Sequence, residues 1–295
     1  MPAVSVIIPN YNHASFLRER IDSVLKQTYR DFEVIILDDC SSDNSREIIE
    51  TYRGHEKITH IEYNTVNSGS TFKQWKKGLD RAKGEWIWIA ESDDVANPLF
   101  LETVSGYFKS DTAIVFSKSY LIDKYGNVNG ELLLKDNIRN TLLFNGIEFI
   151  ENFMIANNAI ANASAVIFNK CVYDNTTNKI EKLKLSGDYN LWLVLASKGN
   201  VQYVDKFLNY FRNHYQNVRS KHNSFEIYIN ESRTNLSVLL KILPDSEKHI
   251  MDKWIYQVFK GINNKRISIK DWLKLLVILL KYNSFVYFIK CYLKR

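Results

Sequence analysis

Four short runs of mainly apolar residues divide the first third of the chain, and helix-like patterns separate them. They are Val4–Pro9, Phe32–Leu37, Thr59–Tyr63 and Trp86–Ala90. Trp86–Ala90 is apolar without interruption, and the first two runs each contain a single polar residue, a pattern typical of strands buried on both faces of a parallel sheet. Helical spacing follows Ser15 and Asn44 and extends from Thr71 to Ala82. This alternation predicts an α/β fold with a right-handed, doubly wound, mostly parallel sheet.

Acidic residues follow two of these runs. Asp38 and Asp39 end the second strand, while Glu91, Asp93 and Asp94 end the fourth. The carboxyl ends of parallel strands meet at one edge of the sheet, so both groups are expected there. Crowded carboxylates are best explained by a divalent cation, or by the ribose and phosphates of a nucleotide, between them. The alternative is that Asp93 or Asp94 only caps the helix near Pro98, a role that Asn97 already supplies.

Glycine-rich phosphate loops are absent from the sequence. Residues 10–15 after the first strand contain no glycine, and GxxxxGK[ST] occurs nowhere. A metal on the acidic residues would therefore have to hold the phosphates.

The remaining chain mixes strands and helices up to about residue 222 and is helical beyond it. Expected elements are a helix after Pro98, a strand at 113–117, a hairpin at 119–134, a helix at 147–155, a strand at 163–169, a helix at 186–196 whose first turn bears Asp188, and strands at 201–204 and 207–211. We predict a domain over 1–222, with halves at 1–110 and 111–222, and a helical extension over 223–295.

The net charge of +6 is concentrated at the carboxyl terminus. Residues 265–295 hold eight basic side chains and one acid, a net charge of +7, which leaves −1 on the rest. A broad nucleic-acid surface is therefore not expected. The cysteines Cys40, Cys171 and Cys291 are far apart, which favours a reducing compartment and argues against disulfides or a zinc site. Without a signal peptide or a span-length apolar run, we expect a cytoplasmic protein.

The motifs together resemble the inverting family 2 glycosyltransferases of the GT-A fold, of the type that builds bacterial surface polysaccharides. The segments that carry the resemblance are Val4–Asn12, Asp38–Asp43, Lys83–Asp94, and Gly187–Asp188 with the Tyr-x-Leu-Trp that follows. The resemblance is dense over 4–94, patchy to about 220 and absent beyond.

The resemblance implies an enzyme of the hexosyltransferase class, in which residues 1–110 bind the nucleotide-sugar and residues 111–222 form the acceptor and catalytic-base region. It would move a sugar from a UDP-sugar to a hydroxyl of a glycan or lipid-linked acceptor, with inversion. The implied roles are nucleotide binding by Pro9, Tyr11, Asp39 and Asp93, Mg²⁺ or Mn²⁺ binding by Asp94, and catalytic base for Asp188. Asp39 would accept a hydrogen bond from uracil N3–H, Tyr11 would stack on the base, and Asp93 would meet the ribose. Asp38 is expected only to form hydrogen bonds with the turn that follows it.

Several positions depart from the family pattern. Cys40 stands where glycine is usual, Glu91 where an aspartate often sits, and Gly187 where an acid commonly precedes the base. Phe72–Trp75 replaces a familiar Arg-Asn pair, so the diphosphate lacks its usual arginine. Candidate substitutes are Lys73 and Lys76. The resemblance also implies a contact to metal or diphosphate for His214, flanked by Arg212, and simple packing is an equal alternative for His214. His13 is expected to have no role.

Two further alternatives stay open. Asp188 as a helix N-terminal acid would contribute only about 0.3–1 kcal/mol through the helix dipole. The tail at 265–295 pairs a broad apolar band with a narrow line of lysines, so it either lies against anionic lipid on the inner face of the membrane or packs on the body. The rival functions are a sugar-1-phosphate nucleotidyltransferase, which needs a glycine-rich basic loop after the first strand, and a non-enzymatic nucleotide- or sugar-binding module.

Overall fold

The computed structural model describes residues 1–134, 138–177, 179–214, 225–263 and 269–281. The strands within these ranges are β1 Val4–Asn10, β2 Phe32–Asp38, β3 Ile58–Tyr63, β4 Trp86–Ile89, β5 Val95–Ala96, β6 Thr112–Ile122, β7 Val128–Leu132, β8 Leu142–Phe144, β9 Val166–Asn169 and β10 Asn200–Arg212. The helices are α1 Ala14–Leu25, α2 Ser45–Glu50, α3 Thr71–Arg81, α4 Phe100–Ser105, α5 Gly146–Phe149 (continued by a π-helical turn, Ile150–Met154), α6 Lys170–Asp174, α7 Gly187–Ala196, α8 Phe225–Ile242, α9 Glu247–Asn263 and α10 Ile269–Lys281. Single 3₁₀ turns occur at Ala163–Ala165, Ile180–Lys182 and Pro244–Ser246.

One mixed sheet organises the molecule, with the strand order β3-β2-β1-β4-β9-β6-β10-β5. Strands β1 to β4 are mutually parallel, which confirms the predicted doubly wound half. Strand β9 then runs antiparallel between β4 and β6, whereas β6 and β10 are parallel. The chain leaves β1 toward β2 and β3 and returns to β4 on the opposite side of β1. This reversal creates a crevice at the carboxyl ends of β1 and β4, where ligands of such sheets bind.

The apolar runs are explained by cores on both faces of the sheet. Along β4, Ile87 and Ile89 belong to one buried cluster, while Trp88 belongs to the other. Strand β1 alternates in the same way, so neither face of these strands meets water. Helices α1, α2 and α4 cover one face, and α3, α7 and α8 cover the other. Burial at roughly 25 cal/mol per Å² of apolar surface stabilises this arrangement.

The second half of the chain differs from prediction in several elements. Strand β8 and helix α6 were not expected, and the strand predicted at 163–169 begins only at Val166. The strands expected at 201–204 and 207–211 are a single strand, β10, whose pairing with β6 shifts between Val204 and Phe207. Asp205 and Lys206 lie between the two predicted strands. They are tolerated within β10 because Asp205 forms an ion pair of 2.6 Å with Lys118. The hairpin is confirmed as β6 and β7.

The helical carboxyl-terminal region is also confirmed, as α8, α9 and α10. Its first helix contributes Phe225, Ile229 and Leu236 to the same core that α7 joins. The predicted boundary near 222 and the end of the tail, 282–295, lie outside the described residues. Among the residues that are described, every helix is too short or too polar to cross a membrane.

Candidate active site

Both acidic groups lie at the expected edge of the sheet. Strands β1 and β2 pair in register up to Asn10 and Asp38, so the loops that follow them leave the sheet together. Glu91 follows β4, which pairs with the other side of β1. The predicted placement of both groups at this edge is therefore confirmed.

Asp38 and Asp39 are held by hydrogen bonds. Asp38 accepts from Asn10 Nδ2 and from the backbone N–H and hydroxyl of Ser41, as expected of a residue that organises its own turn. Asp39 Oδ1 accepts from Asn64 Nδ2, the N–H of Ser68 and Gln74 Nε2, and its Oδ2 accepts from Ser68 Oγ.

Cys40 occupies a backbone conformation that explains the glycine usual at its position. Its φ is +61°, in the left-handed region that disfavours residues with a Cβ. Asn12, in the facing loop after β1, also has a positive φ, of 55°. Its side chain accepts the N–H of Ser42 and joins the two loops.

Asp93 meets two histidines at the crevice. Its Oδ2 lies 2.9 Å from Nε2 of His214, and the rings of His214 and His13 are 5.5 Å apart, edge to face. Potential ligand atoms of His13, Asp93 and His214 all lie within 4.8 Å of one another. Ser92 Oγ, 2.8 Å from Nδ1 of His13, orients that ring. Two imidazoles and a carboxylate form a donor set suited to a divalent transition metal.

Asp94 is directed into the protein instead. Its Oδ1 accepts the backbone N–H of Arg212 at 2.8 Å, and its Oδ2 accepts Asn162 Nδ2 at 2.9 Å. Buried Arg20 stands 3.9 Å behind it. Both carboxylate oxygens of Asp94 are thus engaged by protein groups, whereas Asp93 faces the two histidines, and metal binding by Asp94 stays a prediction. Neighbouring positions in the chain point differently because each has its own tertiary partners.

The crowding of the acids changes their proton affinities. Burial, reinforced by the charge of Asp93, raises the pKa of Glu91 to about 8, against the opposing hydrogen bond from Trp75 Nε1. Burial and Asp93 likewise raise the pKa of Asp94 to about 6. Burial also acts to raise the pKa of Asp93, but the hydrogen bond from His214 and the proximity of His13 lower it overall. Asp93 is thus the member of the motif best suited to remain a carboxylate.

Three residues suggested as diphosphate contacts, Arg212, Lys76 and Lys73, bond to other protein groups. Arg212 donates from Nε to the carbonyl of Asp93, and its terminal nitrogens meet Glu19 and carbonyls of the β6–β7 turn. These bonds explain its burial and favour a scaffold role over a ligand contact. Lys76 forms an ion pair with Asp80 on the exposed side of α3. Lys73 donates to the carbonyl of Ser68.

A cleft of about 150 Å³ joins the acidic motif to the first turn of α7. It brings together Asp93, Asp94 and Asp188, the last of which is 94 positions further along the chain than Asp94. Asp188 Oδ2 accepts a hydrogen bond of 3.1 Å from Asn158 Nδ2. Lys184 also lines the cleft. Pro9, Tyr11 and Asp39 are not among its lining residues. Pro9 is buried in β1, and Tyr11 is exposed just beyond it.

Gly187 and Phe72, two departures from the family pattern, are in contact. A Cβ on Gly187 would lie 2.7 Å from atoms of the Phe72 ring, closer than van der Waals contact allows. With a ring at 72, only glycine fits before Asp188. The two departures therefore compensate each other.

A buried carboxylate from α8 fixes the segment that precedes Asp188. Glu231 accepts the N–H groups of Lys184, Leu185 and Ser186 at 2.6, 3.0 and 2.8 Å. Asn235, one turn along α8, donates to Ser186 Oγ. The start of α7 is thereby attached to the carboxyl-terminal helices.

Sequence reasoning missed several residues of this site, chiefly His13, Lys184 and Glu231. The signal for His13 was available, because its loop follows β1 at the edge where ligands bind. Lys184 and Glu231 carried no signal, since only the packing of α8 against α7 reveals them.

The family of the chain follows from its sequence. Residues 5–168 match the model for glycosyl transferase family 2, and this protein belongs to that family. The match ends before α7, so it does not reach Asp188.

Individual relatives are similar over parts of the chain. An uncharacterized glycosyltransferase of Methanocaldococcus jannaschii, MJ1057, is 30% identical over 72% of this chain and 71% of its own length. GlyG, a glycosyltransferase of Streptococcus pneumoniae, is 33% identical over 41% of this chain. A Bacillus subtilis protein named for teichuronic acid biosynthesis, the glycosyltransferase TuaG, is 29% identical over 48%. The matched regions span only 59% of TuaG and 40% of GlyG.

Solved structures show the same fold. Residues 1–349 of Staphylococcus aureus TarS superpose with a TM-score of 0.71 at 20% identity, over 98% of this chain and 80% of that one. A mannosyltransferase of Pyrobaculum calidifontis, in complex with GDP-mannose and Mn²⁺, gives 0.56 at 13% identity, over 99% of this chain and 86% of that one. The fold is therefore GT-A-like, with a mixed central sheet and carboxyl-terminal helices.

Proposed function

We propose that this protein is an inverting, metal-dependent glycosyltransferase that uses a UDP-sugar in the synthesis of a cell-surface polysaccharide. The observation that carries the proposal is the cleft in which the acids after β4 and Asp188 of α7 meet, with His13 and His214 beside Asp93. Family membership supports the reaction class. TarS, which has this fold, has been solved with UDP-GlcNAc, and relatives are named for teichuronic acid and poly(ribitol-phosphate) glycosylation.

The nucleotide is assigned to the loops after β1 and β2. Among the described residues, only Ser68 donates to Asp39 Oδ2, and a carboxylate oxygen can accept two hydrogen bonds, which leaves capacity for uracil N3–H. Tyr11 is exposed in the loop after β1 and offers a ring to the base. Pro9 would shape that loop at the end of the strand.

The residues of the crevice fit a divalent cation. Asp93, His13 and His214 would hold it, while Asp94 holds the backbone of Arg212 in place behind them. Imidazole ligands favour Mn²⁺ over Mg²⁺, which prefers oxygen. When bound, the cation neutralises the negative charge that develops on the departing diphosphate. Lys184 is the one lysine among the described residues that line the cleft and would approach the same phosphates.

Asp188 is proposed as the catalytic base. Asn158 holds one carboxylate oxygen, which orients the group at the cleft. As the acceptor oxygen bonds to the anomeric carbon, the bond from that carbon to the diphosphate breaks and the acceptor proton passes to Asp188. UDP leaves from the opposite face, and one displacement inverts the anomeric centre.

The wild-type protein tests the reaction class. We expect it to release UDP from at least one UDP-sugar in Mn²⁺, slowly to water and faster with acceptor, and to lose this activity in EDTA. A sugar-1-phosphate nucleotidyltransferase would instead form UDP-sugar and pyrophosphate from UTP. Pyrophosphate production without UDP release would replace our proposal with that alternative.

The exposed side of α10 supports a peripheral contact with membrane. Leu275 and Leu279 are buried in the core, whereas Trp272, Leu273, Val277 and Leu280 are 38–65% exposed. Helix α10 lies within residues 265–295, which carry a net charge of +7. An exposed apolar surface in such a basic segment fits an anionic lipid interface. The alternative is that α10 only packs against the rest of the protein, which explains the buried leucines but not the exposed apolar residues.

Vesicle flotation tests this contact. Leu273→Glu with Val277→Glu should lower binding to vesicles containing anionic lipid at least about tenfold, because two apolar contacts are lost and two negative charges are added. Val66→Glu is the matched control, since Val66 is 75% exposed and distant in sequence from α10. Equal flotation of all three proteins would refute membrane contact through α10.

A further inference from the structure

A second cavity, of about 270 Å³, shares lining residues with the cleft. Asp188 and Leu185 line both spaces, so the proposed base borders the cavity as well as the cleft. The far wall of the cavity comes from α8 and α9, the carboxyl-terminal helices beyond the region matched to the family. A hydroxyl of a sugar bound in this cavity would lie next to Asp188.

The chemistry of the walls is specific. Tyr189, Tyr228 and Trp254 contribute aromatic rings, and Asn157 and Gln257 contribute amides that donate and accept hydrogen bonds. Hydrogen bonds within the protein engage each aromatic polar group: Tyr189 to the carbonyl of Met154, Tyr228 to that of Gln257, and Trp254 to Ser232 Oγ. The rings are thereby fixed in orientation. Rigid rings with a few amides suit a pyranose, whose C–H face is apolar and whose rim is hydroxylated.

The charges of the cavity are all of one sign. Among its described lining residues, the charged side chains are Asp188 and Glu231, both acidic, with no lysine or arginine. Glu231 is 7% exposed and is committed to three backbone N–H groups, so it is held close to the cavity without a cationic partner among its hydrogen bonds. A phosphodiester here would approach two carboxylates in a partly dehydrated space, where like charges repel by several kcal/mol at an effective dielectric constant of about 20.

We propose that this cavity is the acceptor subsite and that it takes an uncharged sugar residue, so that the acceptor is a neutral glycan rather than a phosphate-linked polymer. The inference rests on the proposed glycosyltransferase activity and adds the substrate class. It separates this protein from relatives such as TarS and TarP of Staphylococcus aureus, which are named for poly(ribitol-phosphate). The volume accommodates about one monosaccharide unit next to the base.

An acceptor competition tests the substrate class. With a UDP-sugar that the protein hydrolyses, neutral oligosaccharides of glucose, galactose and N-acetylglucosamine are compared with poly(ribitol phosphate), and products are identified by mass spectrometry. We expect glycosylated product from a neutral oligosaccharide and at least tenfold lower kcat/KM for the polyanion. Comparable or preferential transfer to poly(ribitol phosphate) would overturn the proposal while leaving the glycosyltransferase assignment intact. Absence of any UDP release from UDP-sugars would instead refute the assignment.

Variants of two tyrosines test whether the acceptor binds in this cavity. Tyr228→Ala removes a ring from the cavity wall, and we expect the KM for the neutral acceptor to rise at least tenfold while the KM for the UDP-sugar changes less than twofold. Tyr256→Ala is the matched control, because Tyr256 is 45% exposed on α9 and does not line the cavity. Tyr228→Phe keeps the ring and should restore most of the acceptor affinity. An unchanged acceptor KM in Tyr228→Ala would place the acceptor elsewhere.

Discussion

Replacing Asp188 by asparagine should lower the rate constant for sugar transfer by about 10²–10⁴-fold and leave UDP affinity unchanged. This range is typical for the loss of a positioned general base. The amide is nearly the same size and can still meet Asn158, but it cannot take the acceptor proton. Transfer is measured by UDP release with acceptor present, and UDP affinity by calorimetry in Mn²⁺.

Thermal melting separates this expectation from a purely structural role. As a helix N-terminal acid, Asp188 would contribute about 0.3–1 kcal/mol to folding, and its loss would lower the Tm slightly without slowing transfer. Asp174→Asn is a suitable control, because Asp174 forms an exposed ion pair with Lys170 on α6 and does not line the cleft. Wild-type turnover in Asp188→Asn would exclude it as the base.

Replacing Asp93 by asparagine should abolish the enhancement of UDP binding by Mn²⁺, with a loss of affinity of at least about tenfold in the presence of the metal. Asp93 is the carboxylate that meets both histidines, and the amide is a far poorer ligand. Calorimetric titrations of UDP in Mn²⁺ and in EDTA should become superimposable for this variant. They should differ clearly for the wild-type protein.

Asp94→Asn is the informative partner of that variant. Its carboxylate accepts from Arg212 N–H and Asn162 Nδ2, so an amide would place one donor against another. The expected cost is about 1–3 kcal/mol of folding free energy, read as a lower Tm. Should Asp94→Asn lose the Mn²⁺ effect at an unchanged Tm while Asp93→Asn retains it, the metal belongs to Asp94, as the sequence first suggested.

The part of the fold that contains β1 to β4 was predictable because each of its elements is specified by residues close together in the sequence. Buried parallel strands are apolar along their length, and acids directly after β2 and β4 must share one edge once the strands are parallel. The order of the strands in the second half of the chain depends on pairing between residues that are far apart in the sequence. Strand β9 lies between β4 and β6 although it follows both in sequence, and no periodicity within Val166–Asn169 specifies that position.

The roles of individual site residues were harder to predict for the same reason. Asp93 and Asp94 are adjacent and chemically alike, and partners far along the chain distinguish them, among them Arg212 and His214 about 120 positions away. The sequence indicates only that Gly187 lacks the usual acidic side chain. The structure adds the reason, because the ring of Phe72 fills the space that a side chain at 187 would need.

The attachment of α7 to α8 through Glu231 bears on how enzymes of this kind can be recombined. A chimaera that takes its catalytic module from one family member and its terminal helices from another would separate the carboxylate from the three amides it holds. Such hybrids should keep the donor-binding region yet misplace Asp188. Exchanges intended to alter acceptor choice therefore need to carry residues 184–188 together with the helix that begins at Phe225, as a single cassette.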